Sequence, residues 1–154
     1  VHSEIHEALT EIRVLANAAR ANIMQLHNTG VTAHMVHLKK FSTTHCSTER
    51  GYTSHAKILT DCLSSLYIPL YTEFLKDNPH PIEVSSLQEG YARDFLEGEG
   101  VEKIAILPLK SKEVYCGFVM IQWGSGFSPP KDFPTEFERL RDHIQFHILL
   151  EEKS

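Results

Sequence analysis

The feature that most constrains the fold is the apolar segment 100–123, which reads GVEKIAILPLKSKEVYCGFVMIQW. It contains two apolar runs, 104–109 and 114–121, separated by the polar tetrapeptide 110–113. A polar connection of this length between two apolar runs predicts a β-hairpin. Because both runs are nearly continuous rather than alternating, we expect central strands that are covered on both faces.

The composition is that of one globular domain of ordinary size: the chain has 154 residues, and 42% of them are hydrophobic. Its formal net charge is −5, with 20 acidic and 15 basic residues. A domain of that charge would need a local basic patch to bind nucleic acid. The only basic doublet is Lys39 and Lys40. We therefore expect no nucleic-acid partner.

The three cysteines are Cys46, Cys62 and Cys116, an odd count at wide spacing. This pattern argues against a disulfide framework and favours a reducing, cytoplasmic location. No apolar run reaches the roughly 18 residues that a transmembrane helix needs. The chain begins with Val1 and a helical pattern, so a membrane anchor upstream of this residue stays open as an alternative.

Helices are predicted at both ends of the chain. Segment 3–22 carries apolar residues at alternating spacings of four and three, which is the a/d seam of almost three heptads. The segment is either a helix packed on the domain's own sheet or a parallel dimer helix. We accordingly divide the chain into an N-terminal helix, 1–22, and a domain, 23–154. A last amphipathic helix is predicted from about residue 134.

Between the first helix and the hairpin, the pattern predicts two strands and two helices. Segment 23–27 reads as a strand that turns at 28–30 and returns through 31–38. The polar, hydroxyl-rich segment 39–55 is typical of a long functional loop or of a strand end at the rim of a pocket.

The two helices are expected at 58–66, ended or kinked by Pro69, and at 87–96, with Tyr91 and Phe95 facing inward. The order of elements predicts an α+β or mixed α/β sheet flanked by helices.

The chain resembles a GAF domain over most of its length, and the resemblance is clearest in the second half. The resemblance rests on a helix end at Phe95 and Leu96, on Gly100, on a strand with Pro108 and Leu109, and on Gly117 before the second strand. The segments 25–30, QLHNTG, and 40–44, KFSTT, are similar to a bacterial and phage subgroup of that family, whose members often follow an N-terminal membrane segment. The resemblance implies an α+β, GAF/PAS-like fold. In that fold the N- and C-terminal helices cover one side of a central antiparallel sheet, and short helices and loops cover the other.

The resemblance also implies a ligand pocket between the sheet and the helices at 55–75 and 87–96. Its expected lining is Phe41, Ser42, Thr43, Tyr67, Tyr71, Tyr91 and Phe95. GAF-like sheets host cyclic nucleotides, tetrapyrroles, small metabolites, iron sites or no ligand, so the cofactor is left unknown. The cysteines lack an obvious bilin-attachment context, and no NKFDE-like cyclic-nucleotide signature is present.

Metal binding is not expected, although the chain contains 10 histidines. The densest group of candidate ligands is His34, His37, His45, Cys46 and His55. On a strand, His34 and His37 point to opposite faces, and this group contains no tight C-x₂-C or H-x₃-H spacing that would support a zinc site.

Cys46 beside His45 is the best candidate for a reactive thiol, because a neighbouring histidine can lower a thiol pKa. No catalytic residue is assigned. The favoured hypothesis is a non-enzymatic sensory or regulatory domain that binds a small molecule or a protein partner and forms a homodimer through its terminal helices. The alternatives are a protein-interaction module with a vestigial pocket and a thiol-redox enzyme centred on Cys46.

Overall fold

A computed structural model describes residues 2–27, 40–56 and 59–153. The predicted turn at 28–30 and the returning strand at 31–38 lie outside the described residues. The helices are α1 (His2–Leu15), α2 (Ile68–Leu75), α3 (Tyr91–Gly98) and α4 (Phe133–Lys153), with 3₁₀ turns at Ser64–Leu66 and Val84–Ser86. The strands are β1 (Arg20–His27), β2 (Lys40–Thr48), β3 (Cys62–Leu63), β4 (Ile82–Glu83), β5 (Val101–Ser111) and β6 (Val114–Gly124).

The strands form one antiparallel sheet in the order β3-β2-β1-β6-β5-β4. Helices α1 and α4 cover one face, where Ile5, Leu9 and Phe137 pack against strand residues such as Val119. Helices α2 and α3 cover the other face, which we call the α2/α3 face. The α+β class and the division of the helices between the two faces are therefore confirmed.

The predicted hairpin is confirmed as β5 and β6, and its turn is shorter than the sequence indicated. Lys110 pairs with Tyr115 and Ser111 with Val114, so Lys112 and Glu113 alone form the turn. Their φ angles are 52° and 68°. Positive φ at both central residues is typical of the type I′ turn, whose twist matches that of the strands it joins.

Replacing Glu113 by glycine is expected to stabilise the protein by about 0.5–1 kcal/mol, because the left-handed conformation costs an L-residue energy that glycine avoids. Urea unfolding measures this change. Glu113→Ala is the matched control, since it removes the same side chain and keeps the Cβ atom. If alanine stabilised the protein as much as glycine does, backbone strain would not be the reason.

Helix α1 ends at Leu15, so the predicted helix 3–22 is too long. Asn17 has a φ of 55°, which breaks the helix, and the Ala19 N–H donates to the Gln122 carbonyl at the start of sheet pairing. The apolar seam therefore does not continue through Ala19 as a helix. Its first part, including Ile5 and Leu9, packs on the sheet within the same core as α4.

The interpretation of 39–55 as a loop is wrong for residues 40–48, which form strand β2. Its buried members are Phe41, Thr43, His45 and Ser47. A register shift opposite Ile23 and Met24 places the first two on the α2/α3 face and the last two on the face that α1 and α4 cover. Most of these buried residues are polar, so the strand shows no apolar alternation in the sequence.

The predicted helix over 58–66 is also wrong, because residues 62–66 form β3 and a 3₁₀ turn. Pro69 lies in the first turn of α2, where its fixed φ and missing N–H favour the start of a helix. Helix α3 begins at Tyr91, whose side chain is 55% exposed rather than inward. Among the residues described, no helix has both the length and the apolar composition that crossing a bilayer requires.

Candidate functional site

The aromatic residues predicted to line a pocket lie together on the α2/α3 face. Phe41 is fully buried, and its ring meets Tyr67 edge-on at 5.0 Å and Phe118 at 5.7 Å between centroids. Tyr71 lies 6.2 Å from Phe41, and Tyr91 lies 5.6 Å from Tyr67. The structure therefore assembles an aromatic cluster at the predicted position. That this cluster binds a ligand stays a prediction.

Two other predicted lining residues are placed differently. Ser42 follows Phe41 on β2 and lies on the opposite face of the sheet. Its hydroxyl is 2.9 Å from His27 Nε2 and accepts the Asp61 N–H at 2.8 Å. Phe95 is half-buried and meets the ring of His55 at 5.5 Å. Ser42 is thus outside the aromatic cluster.

Beside the aromatic cluster lies a group of polar residues that the sequence did not predict as a site. We call it the polar cluster, and its members are Arg20, Asn22, His55, Glu99 and Gln122. Four of them are at most 3% exposed, whereas Glu99 is 26% exposed. Arg20 pairs with Gln122 across β1 and β6, which places both on the α2/α3 face together with Asn22. Segment 52–56 brings His55 over these strands.

Arg20 is fixed by hydrogen bonds to the sheet and to the covering segment. Its Nε atom donates to the Thr53 carbonyl at 2.8 Å and its Nη2 atom to the Thr53 hydroxyl at 3.3 Å. Its Nη1 atom donates to Gln122 Oε1 at 3.2 Å. Burial lowers the pKa of Arg20, and the carboxylate of Glu99 opposes that effect. A cation is therefore held inside the domain by neutral acceptors.

The bonds to His55 define its tautomer. The amide nitrogens of Asn22 and Gln122 lie 3.2 and 3.4 Å from His55 Nδ1. Because both amide groups donate, Nδ1 accepts, and the proton is carried by Nε2, which donates to Glu99 Oε1 at 3.0 Å. Burial, together with the charge of Arg20, lowers the pKa of His55 to about 4. The ring is therefore neutral at neutral pH.

Two buried polar atoms of this face lack a hydrogen-bond partner among the described residues: Asn22 Oδ1 and Thr43 Oγ1. Asn22 is 0% and Thr43 is 6% exposed. Thr43 pairs with Met24, which lies two residues beyond Asn22 on the same face of β1. An unsatisfied buried polar atom costs about 1–3 kcal/mol, so each such atom in a folded protein calls for an explanation.

The structure separates the residues of the predicted thiol pair. His45 is opposite Ile23, and Cys46 is opposite Asn22, so the two side chains lie on different faces of the sheet. The sulfur of Cys46 accepts the backbone N–H of His55 at 3.5 Å. The His55 ring nitrogens bond to the amides and to Glu99 instead. The arrangement thus gives Cys46 a backbone donor and places its neighbour His45 on the other side of β2.

The densest group of candidate metal ligands is only partly within the described residues, because His34 and His37 lie outside them. Within the described ranges, no three His, Cys, Asp or Glu side chains are grouped to hold a metal ion. His143 and His147 have ring centroids 4.5 Å apart, and His147 Nδ1 lies 3.1 Å from Glu4 Oε2. This contact joins α4 to α1.

Comparison with solved structures shows that the chain has the fold of GAF domains. No protein-family profile and no curated protein matches the sequence. The red/green cyanobacteriochrome NpR6012g4 is 11% identical, with a TM-score of 0.73 over 99% of this chain and 96% of that one. The GAF domain of a two-component sensor histidine kinase from Bacillus halodurans is 14% identical, with a TM-score of 0.71 over 99% and 95%.

The chromophore-binding domain of the bacteriophytochrome RpBphP3 from R. palustris is 12% identical to the chain, with a TM-score of 0.66. This match covers 99% of the chain and 56% of the domain. The chain is therefore shorter than the chromophore-binding domain that it matches. The predicted GAF-like fold is confirmed by all three structures.

The polar cluster does leave a signal in the sequence. Arg20 and Asn22 interrupt the apolar stretch at 18–24, and Gln122 interrupts the apolar run that ends at Trp123. A polar residue inside a strand that is buried on both faces must find a partner within the protein. Such interruptions indicate buried polar contacts, although they do not indicate which other segment supplies the partners.

Proposed function

We propose that this chain is a non-catalytic sensory or regulatory domain that binds a small molecule on the α2/α3 face. The observation that carries the proposal is the pair of unpartnered buried atoms, Asn22 Oδ1 and Thr43 Oγ1, beside the aromatic cluster. A ligand with hydrogen-bond donors would satisfy both atoms. Support comes from the matched folds, which include a chromophore-binding domain and a sensor-kinase GAF domain.

The side chains around these atoms favour a flat, largely apolar ligand. The rings of Tyr67 and Tyr71 both contact the ring of Phe41, and a flat molecule would bind against such aromatic faces and edges. Burial raises the pKa of Tyr71 to about 12, so its hydroxyl stays protonated at neutral pH, where it is hydrogen-bonded to Ser64 Oγ. The binding residues that we propose are those predicted from the sequence, apart from Ser42, together with Asn22.

Native mass spectrometry of the purified protein, with a denatured control, tests the proposal. We expect an added mass that is released on denaturation. We also expect Thr43→Val to reduce its occupancy, because valine keeps the shape of threonine and removes the hydroxyl. Thr44→Val is the matched control, since Thr44 is exposed on the same strand. A bare chain mass for the unsubstituted protein would contradict the proposal.

The packing of the aromatic cluster supports a second candidate, a protein-interaction module with a filled pocket. Phe41 is 0% exposed, and the rings around it occupy the place of the predicted pocket. On this reading, side chains replace the ligand and the domain acts through its surface. A bare mass in the experiment above, with a folded and stable protein, would favour this candidate.

We also propose that the domain forms a homodimer through α1 and α4. These helices lie side by side on one face of the sheet, joined by Arg139–Glu11 and His147–Glu4 contacts. Each helix also exposes a large apolar side chain: Val14 is 61% and Phe146 is 56% exposed. Light scattering after size exclusion should give twice the chain mass, and Phe146→Glu should lower the measured mass. A monomer mass for the unsubstituted protein would contradict the proposed dimer.

A further inference from the structure

We infer that Arg20 and His55 form a binding site for a carboxylate group, and that Glu99 occupies this site as an internal competitor. A ligand that carries a carboxylate would displace the Glu99 side chain and take over its two contacts. The inference builds on the proposed function, because it names the chemical group by which a small molecule would be held.

The first observation is that the Arg20 cation is buried with its charge incompletely matched. Arg20 is 3% exposed, and its three hydrogen bonds go to the neutral acceptors of Thr53 and Gln122. Its ion pair within the described residues is with Glu99, at 3.7 Å between Nη2 and Oε1. That distance is too long for a hydrogen bond. A guanidinium has five N–H donors in a planar fork, so donors remain for an incoming carboxylate.

The second observation is that His55 presents an N–H to the same place. His55 Nε2 is 3.0 Å from Glu99 Oε1, the oxygen that also lies nearest to Arg20. The two amide donors at Nδ1 keep the proton on Nε2, so the ring always offers a donor at this position. With a neutral imidazole, the site carries one positive charge. A single carboxylate balances that charge, whereas a phosphate dianion exceeds it.

The third observation is that Glu99 is the most exposed member of the polar cluster. It is 26% exposed, whereas the other members are at most 3% exposed. It follows the last residue of α3 and precedes Gly100, whose φ of 76° is a conformation that glycine adopts without strain. Rotation of the Glu99 side chain into water would uncover Arg20 and His55 beside the unpartnered Oδ1 atom of Asn22.

The test is whether acetate restores the thermal stability of a Glu99→Ala variant. Loss of the Glu99 carboxylate should lower Tm by about 5 °C, the effect expected for a lost hydrogen bond to a charged group. Sodium acetate should then raise Tm along a saturating curve, relative to sodium chloride at the same ionic strength. Glu97→Ala is the matched control, since Glu97 is exposed, lies two residues earlier in the last turn of α3 and pairs with Arg93. It should show no difference between acetate and chloride.

Equal Tm values of Glu99→Ala in acetate and chloride would overturn the inference and leave Glu99 with a structural role. Equal recovery by sodium phosphate would overturn the assignment to carboxylates. If the alanine variant does not fold, Glu99→Gln is titrated with acetate while the NMR signal of Arg20 Nε–H is followed. A shift that saturates supports the site, and an unchanged signal overturns it.

The outcome is independent of the mass-spectrometric test. A bare chain mass combined with recovery by acetate would contradict the proposed co-purifying ligand and still support the carboxylate site. An added mass without recovery by acetate would support the proposed function and overturn the site.

Discussion

Replacing Gly117 by alanine is expected to destabilise the protein by about 3 kcal/mol, the upper range for overpacking a buried site. A Cβ atom at this position would lie 2.2 Å from the carbonyl oxygen of Met24. That oxygen belongs to the backbone of β1, the strand that pairs with β6 at the centre of the sheet. Gly117 also pairs with Leu109 of β5, so β6 is held on both sides and cannot move away.

Urea or thermal unfolding measures the loss, and Gly98→Ala provides the matched control. A Cβ atom at Gly98 meets no atom within 4 Å, and this residue ends helix α3. Alanine there should leave stability unchanged or raise it by about 0.5 kcal/mol. If Gly117→Ala were as stable as Gly98→Ala, the close approach of β1 and β6 would not hold in solution.

The second large effect is the dependence of folding stability on pH. Folding stability is expected to fall by about 3 kcal/mol between pH 6.5 and pH 4, because burial and Arg20 lower the pKa of His55 from 6.5 to about 4. In this range the unfolded chain binds a proton at His55, whereas the folded protein excludes it. The unfolded state is therefore favoured as the pH falls. The stabilisation is complete above pH 6.5 and has been lost once the pH falls below about 4.

The measurement is a series of urea unfolding curves at pH values between 4 and 7, for the unsubstituted protein and for His55→Asn. The asparagine variant should show a flatter dependence, whatever its stability at pH 7, because it lacks the group whose protonation is linked to folding. His6→Asn is the control, since His6 is exposed, and it should keep the dependence of the unsubstituted protein. Identical slopes for His55→Asn and the unsubstituted protein would contradict the placement of His55.

The parts of the fold that the sequence predicts correctly are those in which apolar residues form long runs. The hairpin of β5 and β6 is visible because its strands are buried on both faces, and α4 is visible because Phe137, Leu140, Ile144 and Ile148 recur on one side. These signals depend on local burial alone. They can be recognised without knowing which distant segment packs against the strand or helix.

The parts that the sequence does not predict depend on polar burial and on distant partners. Strand β2 buries Thr43, His45 and Ser47, so its alternation consists of residues that are usually exposed. Ser47, for example, faces α1, where the side chains of Thr10 and Arg13 form hydrogen bonds with its hydroxyl. Such contacts between segments more than 30 residues apart leave no periodic trace.

The same reason explains the candidate site. The aromatic lining residues follow from the resemblance to GAF domains, and most of them meet on the α2/α3 face. The polar cluster instead joins the start of β1, the segment 52–56, the end of α3 and the end of β6. Its residues come from four separate regions, so the sequence does not show that they meet. In the sequence, His55 is one of five candidate metal ligands between residues 34 and 55.

Strand β1 belongs to both layers of the molecule at once. Asn22 faces the polar cluster, while its neighbours Ala21 and Ile23 pack among α1 and α4 on the reverse side. Trp123, at the end of the adjoining strand, donates its indole N–H to the Ala16 carbonyl just beyond α1, at 2.9 Å. Closely packed interiors transmit small displacements rather than absorb them. A displacement of the β1 backbone at Asn22 would therefore also disturb the packing of Ala21 and Ile23 against α1 and α4.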